Sequence, residues 1–280
     1  MMSFSEALGV AFPSVFFILF IVSAIVTALG FIKFVYFISV GYGVSVAALA
    51  LTLGVAFFPS LSALSIIQML LLLVYGIRLG GFLLARELKS AAYRTELKGA
   101  DQADKEMPFA VKTVIWLACA FLYCMQISPA LYRVLADQVG ISAKVSLWAI
   151  LGVTVMALAI ILESLADFQK SNSKAKNPKR FCAVGLFKFV RYPNYLAEIL
   201  FWTGTVVSGA DVYKGWAQWV VALFGYICIF YVMLDGTKRL EAKQNSRYGM
   251  DEEYRKYIAR TPKLMPFFPV KSNHNSETFH

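Results

Sequence analysis

This chain is poor in charge, in histidine and in any useful spacing of cysteines, and each shortage removes a class of function. Charged residues fill 16% of its 280 positions, whereas soluble chains carry about 25%. Hydrophobic residues reach 59%, so this is not an ordinary soluble domain. The two histidines, His274 and His280, fall in the polar terminal stretch "KSNHNSETFH", and residues 271–280 read as a disordered tail. Histidine general-base chemistry and His-ligated metal or haem are thereby set aside. Cys119, Cys124, Cys182 and Cys228 form no CxxC or metal-ligand pattern, which argues against a disulfide framework and a zinc site. No GxGxxG follows a strand-like run, so any dinucleotide is held without a Rossmann fold. Residues 1–10 lack a basic stretch, and the apolar run behind them is long enough to remain as a span rather than be cleaved as a leader.

What the chain has is hydrophobic length. Apolar runs near 20 residues recur, enough to cross a hydrocarbon core of roughly 30 Å. They predict an all-α integral membrane protein with seven spans, over about 12–32, 34–58, 63–84, 110–130, 145–166, 195–210 and 216–234. Residues 1–270 read as one such domain. With the N-terminus on one side, the opposite side collects 23 of the 27 Lys and Arg; Arg133, Lys144 and Lys214 lie on the first side and Arg78 within a span. By the positive-inside bias the N-terminus is outside and the C-terminus cytoplasmic. The net charge of +10 follows from that bias and from attraction to anionic membrane lipid. Nucleic acid is a poor partner, because no recognition module separates the basic loops.

Polar residues inside such spans need a reason, since a charge near the bilayer centre costs about 2.5–3.5 kcal/mol. In "GLFKFVRYPNYLAEILFWTG", Pro193 suits the first turn of a helix. Asn194 and Glu198 then share a face at i and i+4, and Arg191 stands beside the positive helix end. Glu163, Asp167, Lys170 and Lys174 fall at steps of four, three and four, a stripe leading out of the membrane towards Lys176, Lys179 and Arg180. Tyr75 and Arg78 share a face of the third span, and Gly76, Gly80 and Gly81 allow close helix approach. After Gly249, Asp251 suits a helix cap, Tyr254 and Tyr257 share a face, and Glu241 falls in the preceding tail helix.

These residues together resemble the steroid 5α-reductase superfamily, in its bacterial-type DUF1295 branch, from roughly Leu70 to Pro269. The carriers are "GLFKFVRYPNYLAE", the Glu-x3-Asp-x-Gln-Lys of Glu163 to Lys170, and the terminal Gly-x4-Tyr-x2-Tyr…Pro of Gly249 to Pro266. The resemblance implies a seven-helix bundle that binds NADPH from the cytoplasmic side and reduces the conjugated C=C of a steroid-like or other lipid enone. It makes Tyr75 and Glu198 catalytic, with the tyrosine polarising the enone carbonyl. It implies cofactor binding by Arg78, Glu163, Asp167, Lys174, Arg180, Arg191, Asn194, Tyr195, Lys238, Tyr254 and Tyr257. The chain departs from that pattern in two places. Tyr192 stands where relatives carry histidine. The second span, "FIKFVYFISVGYGVSVAALALTLG", has no carboxylate; alignment puts Ser39 at its position, so the expected partner of Tyr75 is absent or supplied by Glu198.

Alternative readings are an S-adenosylmethionine-dependent lipid or isoprenylcysteine-type methyltransferase, which shares the Arg-x-Pro-x-Tyr and terminal pieces, and a non-catalytic relative of the fold. Any of them sits in a bacterial inner membrane or, in a eukaryote, the endoplasmic reticulum.

Overall fold

A computed structural model describes residues 3–89, 94–95, 107–140 and 146–265 of the chain. Among the described residues the protein is helical throughout, with no strand. The helices are α1 (Phe4–Ala11), α2 (Ser14–Thr27), α3 (Val40–Ala56), α4 (Ala63–Lys89), α5 (Phe109–Gln138), α6 (Leu147–Lys176), α7 (Pro193–Ser208), α8 (Trp216–Tyr248) and α9 (Glu252–Arg260). The expected tail at 271–280 and the terminal prolines Pro266 and Pro269 lie outside the described residues.

Among the described residues, six helical stretches are long and apolar enough to cross a membrane: Ser14–Phe31, Phe34–Ala56, Ala63–Lys89, Phe109–Gln138, Leu147–Lys176 and Trp216–Tyr248. They answer to six of the seven expected spans. Ile25, Ile77, Leu158 and Ile227 lie exposed within them, an outward apolar surface that suits lipid and not water. The chain therefore has the make-up of a multi-pass membrane protein. The remaining expected span, 195–210, is α7. It has 16 residues, about 24 Å at 1.5 Å per residue, short of the hydrocarbon thickness of roughly 30 Å.

The chain divides into two compact units, Met1–Met156 with Trp202–Cys228, and Ala157–Phe201 with Ile229–His280. In the first, α3 and α4 meet through glycine. A Cβ added at Gly76 would lie 2.4 Å from the Gly43 carbonyl oxygen, and one at Gly43 2.7 Å from the Gly80 nitrogen. Gly81 departs from the expectation, since nothing lies within 4 Å of a Cβ there. Pro129 inside α5 removes the amide that would bond the carbonyl of Met125, and the Ser128 hydroxyl donates to that carbonyl instead (2.8 Å). At one end of this unit, the Gln218 amide donates to Val10 O (2.9 Å), the Ser62 N–H to Asp137 (3.0 Å), and Arg133 Nε to Ser208 O (2.7 Å). Arg133 also pairs with Asp211, which accounts for a nearly inaccessible guanidinium. Elsewhere in the unit, Lys33 and the Tyr36 hydroxyl both bind Glu87.

The second unit is built around Tyr192, Ile199 and Leu264, against which Tyr195, Leu196, Phe230, Met233, Leu234 and Leu240 pack. Its polar connection, 177–192, is shaped by local contacts. Gly185 has φ +56°, and Gln169 Oε1 accepts from the Leu186 N–H (2.8 Å). A Cβ at Gly185 would meet that oxygen at 2.2 Å, so both conformation and space require glycine there.

Candidate functional site

The first unit carries a buried array of hydroxyl and indole groups. Tyr75, fully buried on α4, lies 2.9 Å oxygen to oxygen from Tyr42 on α3. Trp202 Nε1 donates to the Tyr42 hydroxyl oxygen at 2.7 Å. The rings brace one another: Tyr75 meets Trp202 edge-on at 5.8 Å, and Tyr42 lies 5.1 Å from Tyr123. Tyr123 is held in turn by its hydrogen bond to Phe37 O (2.5 Å). Ser39, the residue aligned with the missing carboxylate, donates to Val35 O (2.7 Å). In this unit the hydroxyl partner of Tyr75 is therefore Tyr42. Arg78 follows one turn after Tyr75 on α4 and is half-buried. Two further polar side chains stand out. The Ser45 hydroxyl and both amide atoms of Gln126 are buried without a hydrogen-bond partner, an expensive arrangement in a membrane interior.

In the second unit, α7 begins at Pro193 as expected. The residues before it are clamped by the C-terminal segment: the Arg191 N–H donates to Pro262 O (2.9 Å) and the Tyr192 N–H to Lys263 O (3.1 Å). The buried Arg191 guanidinium pairs with Glu241 at 2.8 Å, and Glu241 also pairs with Lys263. Arg191 Nε, the Tyr192 hydroxyl and Asn194 Oδ1 remain buried without hydrogen-bond partners. Glu198, one turn beyond Asn194, is buried, as is Glu163 on α6; Asp167, one turn further along α6, is half-buried. Tyr195 lies against Gly236.

The rest of the predicted nucleotide contacts share this unit but differ in what occupies them. The Lys174 ammonium donates to Arg180 O (2.5 Å), Pro178 O (3.3 Å) and the Tyr248 hydroxyl (2.9 Å), so it organises the loop itself. Arg180 pairs with Glu253 at 2.5 Å. Asp251 caps α9 by accepting from the Glu253 and Tyr254 N–H groups. Tyr254 donates to Asn245 Oδ1 (2.8 Å) and Tyr257 to Phe187 O (2.7 Å), and both rings lie on Phe181 at 5.2 and 5.3 Å. Burial pushes the phenols of Tyr254 and Tyr257 above their ordinary range. Burial and then the Glu241 charge do the same to Tyr192, so all three stay neutral donors. Arg180, Lys188, Lys256, Arg260 and Tyr257 line a cavity of about 530 Å³ together with Glu253, so the recess is basic on balance, with Arg180 already paired to that carboxylate. Lys238 is exposed.

Residues 19–261 match the family described as a protein of unknown function, DUF1295. The match takes in every candidate site residue from Tyr75 to Tyr257. The chain belongs to the DUF1295 family. That family is steroid 5α-reductase-like. An uncharacterised protein of Schizosaccharomyces pombe is 33% identical over 90 residues, which are 32% of this chain and 24% of that protein. The match thus spans about a quarter of the length of this curated relative. No solved structure matches the chain.

Within this DUF1295 chain, sequence reasoning missed four functional or positioning candidates. Tyr42 was hidden in an apolar span, where an aromatic reads as core. Glu241 and Lys263 sit in a charged tail that gives no hint of a buried arginine elsewhere. Gln126 carried a readable signal, a carboxamide in mid-span, that hydropathy alone passes over.

Proposed function

We propose that this protein is an NADPH-dependent membrane reductase that saturates the conjugated C=C bond of a steroid-like or other lipid-soluble enone. The observation that carries the reading is the start of α7, where Asn194 Oδ1, Arg191 Nε and the Tyr192 hydroxyl are buried and unsatisfied. One acceptor and two donors left open inside a packed unit suit a polar carboxamide such as that of nicotinamide, since buried polar groups are otherwise paired. The basic recess around Arg180, Lys188, Lys256 and Arg260 suits the anionic part of the same cofactor. When bound, NADPH supplies a hydride to the β-carbon, the α-carbon takes a proton, and the products are the saturated ketone and NADP⁺.

The chain's own residues have separate tasks in this reading. Arg191 is held by Glu241 through Nη1 and keeps its buried Nε–H for the cofactor. Tyr75 donates a hydrogen bond to the carbonyl oxygen of the enone, where charge develops as the double bond is reduced. Glu198 lies on the same face of α7 as Asn194 and is kept from water. The bundle's apolar surroundings admit a lipid-soluble substrate and exclude solvent from the reacting carbons.

We place the N-terminus outside and the C-terminus in the cytoplasm, with α7 as a short seventh crossing in a bacterial inner membrane or the endoplasmic reticulum. Support comes from Val10, which accepts from Gln218 at the start of α8, and from Ser62, which donates to Asp137 at the end of α5. The charge count supports the same parity. Without the α7 crossing, the basic stretch from Lys238 to Lys263 would lie on the outer side, against the positive-inside bias.

The test is direct. Purified protein in lipid nanodiscs is titrated with NADPH, NADH and S-adenosylmethionine, then supplied with a panel of steroid and isoprenoid enones. The expected outcome is tighter binding of NADPH than of NADH, a preference that weakens as salt screens the basic recess, and formation of a saturated ketone. Glu198→Gln should lower turnover per folded molecule by about 10²–10³, the scale of a lost electrostatic contact in a dry site. Binding of S-adenosylmethionine in place of NADPH would overturn the reading. Unchanged turnover of Glu198→Gln would remove Glu198 from the site.

A further inference from the structure

We propose that the connector 184–189 is an interfacial anchor: Val184 and Phe189 enter the leaflet on the side of the basic loops, and Lys176 above them takes the phosphate of an anionic phospholipid. The proposal rests on the membrane make-up of the chain and stands apart from the reductase reading.

The level of the membrane surface is written along α6. Leu158, Ile161, Leu165 and Phe168 follow one another at steps of three, four and three, and all four are exposed. That spacing is one face of a helix, and an exposed apolar stripe on a membrane-spanning helix faces lipid. The same face continues at steps of four with Asn172 and Lys176, both exposed. The change from Phe168 to Asn172 marks the boundary between hydrocarbon and headgroups. Lys176 lies about 12 Å beyond Phe168 along the axis, at 1.5 Å per residue, and a lysine stem bends back towards such a boundary. Its ammonium thus falls in the headgroup layer.

Gln169 ties the connector to this level. It follows Phe168 directly, about 100° round the helix, at the edge of the lipid-facing stripe. Its Oε1 accepts from the Leu186 N–H at 2.8 Å and lies against Gly185, so Leu186 is held close to the helical turn where the apolar stripe ends. Gly185–Lys188 forms a short helical turn there, with Phe187 buried. The Tyr257 hydroxyl secures the turn from its other side by donating to Phe187 O (2.7 Å). Val184 and Phe189, which flank the turn, are 48% and 69% exposed, and Phe168 is 67% exposed. A lone exposed phenylalanine is ordinary on a protein surface, but three large apolar side chains around one fixed contact suit lipid. Interfacial binding combines such groups with basic residues that meet anionic headgroups. Val184, Phe189 and Lys176 supply both. Because Phe189 comes just before Val190 and Arg191, the anchor also fixes the depth at which α7 begins.

The experiment places the photoreactive residue benzoylphenylalanine at single positions of the full chain, in nanodiscs of mixed phosphatidylcholine and phosphatidylglycerol. Peptide mass spectrometry then identifies what each position captures on illumination. Phe168→benzoylphenylalanine, on the stripe, is the control for embedding. Phe189→benzoylphenylalanine should capture acyl chains as that control does, whereas Asn177→benzoylphenylalanine, beyond the boundary, should not. All three side chains are exposed, so the substitutions leave the core untouched. Lys176→Gln should lower about fivefold the odds that a lipid captured at 189 is phosphatidylglycerol rather than phosphatidylcholine, the weight of one lysine near an anionic surface. Lys214→Gln, on the side with few basic residues, should leave those odds unchanged. Acyl capture at 168 without any at 189 overturns the anchor, as does capture of another protein chain at 189. Equal odds with and without Lys176→Gln overturn the headgroup contact. Loss of acyl capture at 168 as well overturns the membrane make-up on which the proposal rests. No outcome depends on NADPH or on turnover, so the anchor and the reductase reading stand or fall separately.

Discussion

At the scale of single residues, the second unit shows how a charged surface segment becomes structural. Arg191 is buried only because Glu241 meets it, and Glu241 in turn holds Lys263. Removing one partner of a buried pair costs about 3–5 kcal/mol, since the other charge is left uncompensated. The tyrosines beside this triad add a pH dependence. Tyr192, Tyr254 and Tyr257 are all raised above their usual value, chiefly by burial. Their folded forms therefore favour the protonated phenol more than the unfolded chain does. The stability they contribute is fully present below about pH 10, the unfolded phenol value, and is lost as pH climbs through the raised folded values. Tyrosinate absorbance during alkaline titration should show a late-titrating fraction. Tyr257→Phe, which loses the bond to Phe187 O, should cost about 1 kcal/mol in thermal melts at neutral pH and should weaken the alkaline loss. An equal alkaline loss in that variant would mean that other groups control it.

At the scale of elements, glycine decides how closely α3 and α4 pack, and that spacing in turn decides whether Tyr42 reaches Tyr75. Gly76→Ala drives a methyl to 2.4 Å from a backbone oxygen of α3, which no rotamer change relieves. Overpacking of this kind costs about 1–3 kcal/mol. Gly81→Ala meets nothing, and alanine is the better helix former by about 1 kcal/mol. Thermal melts in detergent should therefore fall for Gly76→Ala and hold or rise for Gly81→Ala. Turnover should change only in the former. Equal melting of the two variants would show that the α3–α4 contact is not limiting.

At the scale of the molecule, α7 governs the topology. Sixteen residues are enough only if the helix crosses near the bilayer normal and meets a thinned membrane. Reporters fused after Pro269 should read cytoplasmic, and reporters near Ser3 or in the 209–215 turn external. A cytoplasmic signal from 209–215 together with an external one after Pro269 would show that α7 does not cross, and would move the proposed side of cofactor entry.

Hydropathy and charge, read from the chain alone, determined that the protein is helical and membrane-bound, and they placed six long spans. These properties are sums over many residues, and the lipid environment enforces them regardless of detail. Local grammar also placed Pro193 at a helix start, Asp251 at a cap and the tyrosine pair on one face of α9, because capping and helical period act over only a few residues. Tertiary structure alone decided the rest. That Tyr42 and not Ser39 stands beside Tyr75 depends on the pitch and contact distance of two helices. Lys174 is spent on the Tyr248 hydroxyl and Glu241 on Arg191 because each lies beside a group distant in the chain. Spacing along one helix gives a side chain its face, whereas its hydrogen-bond partner is set by packing between elements, a quantity that no single segment encodes.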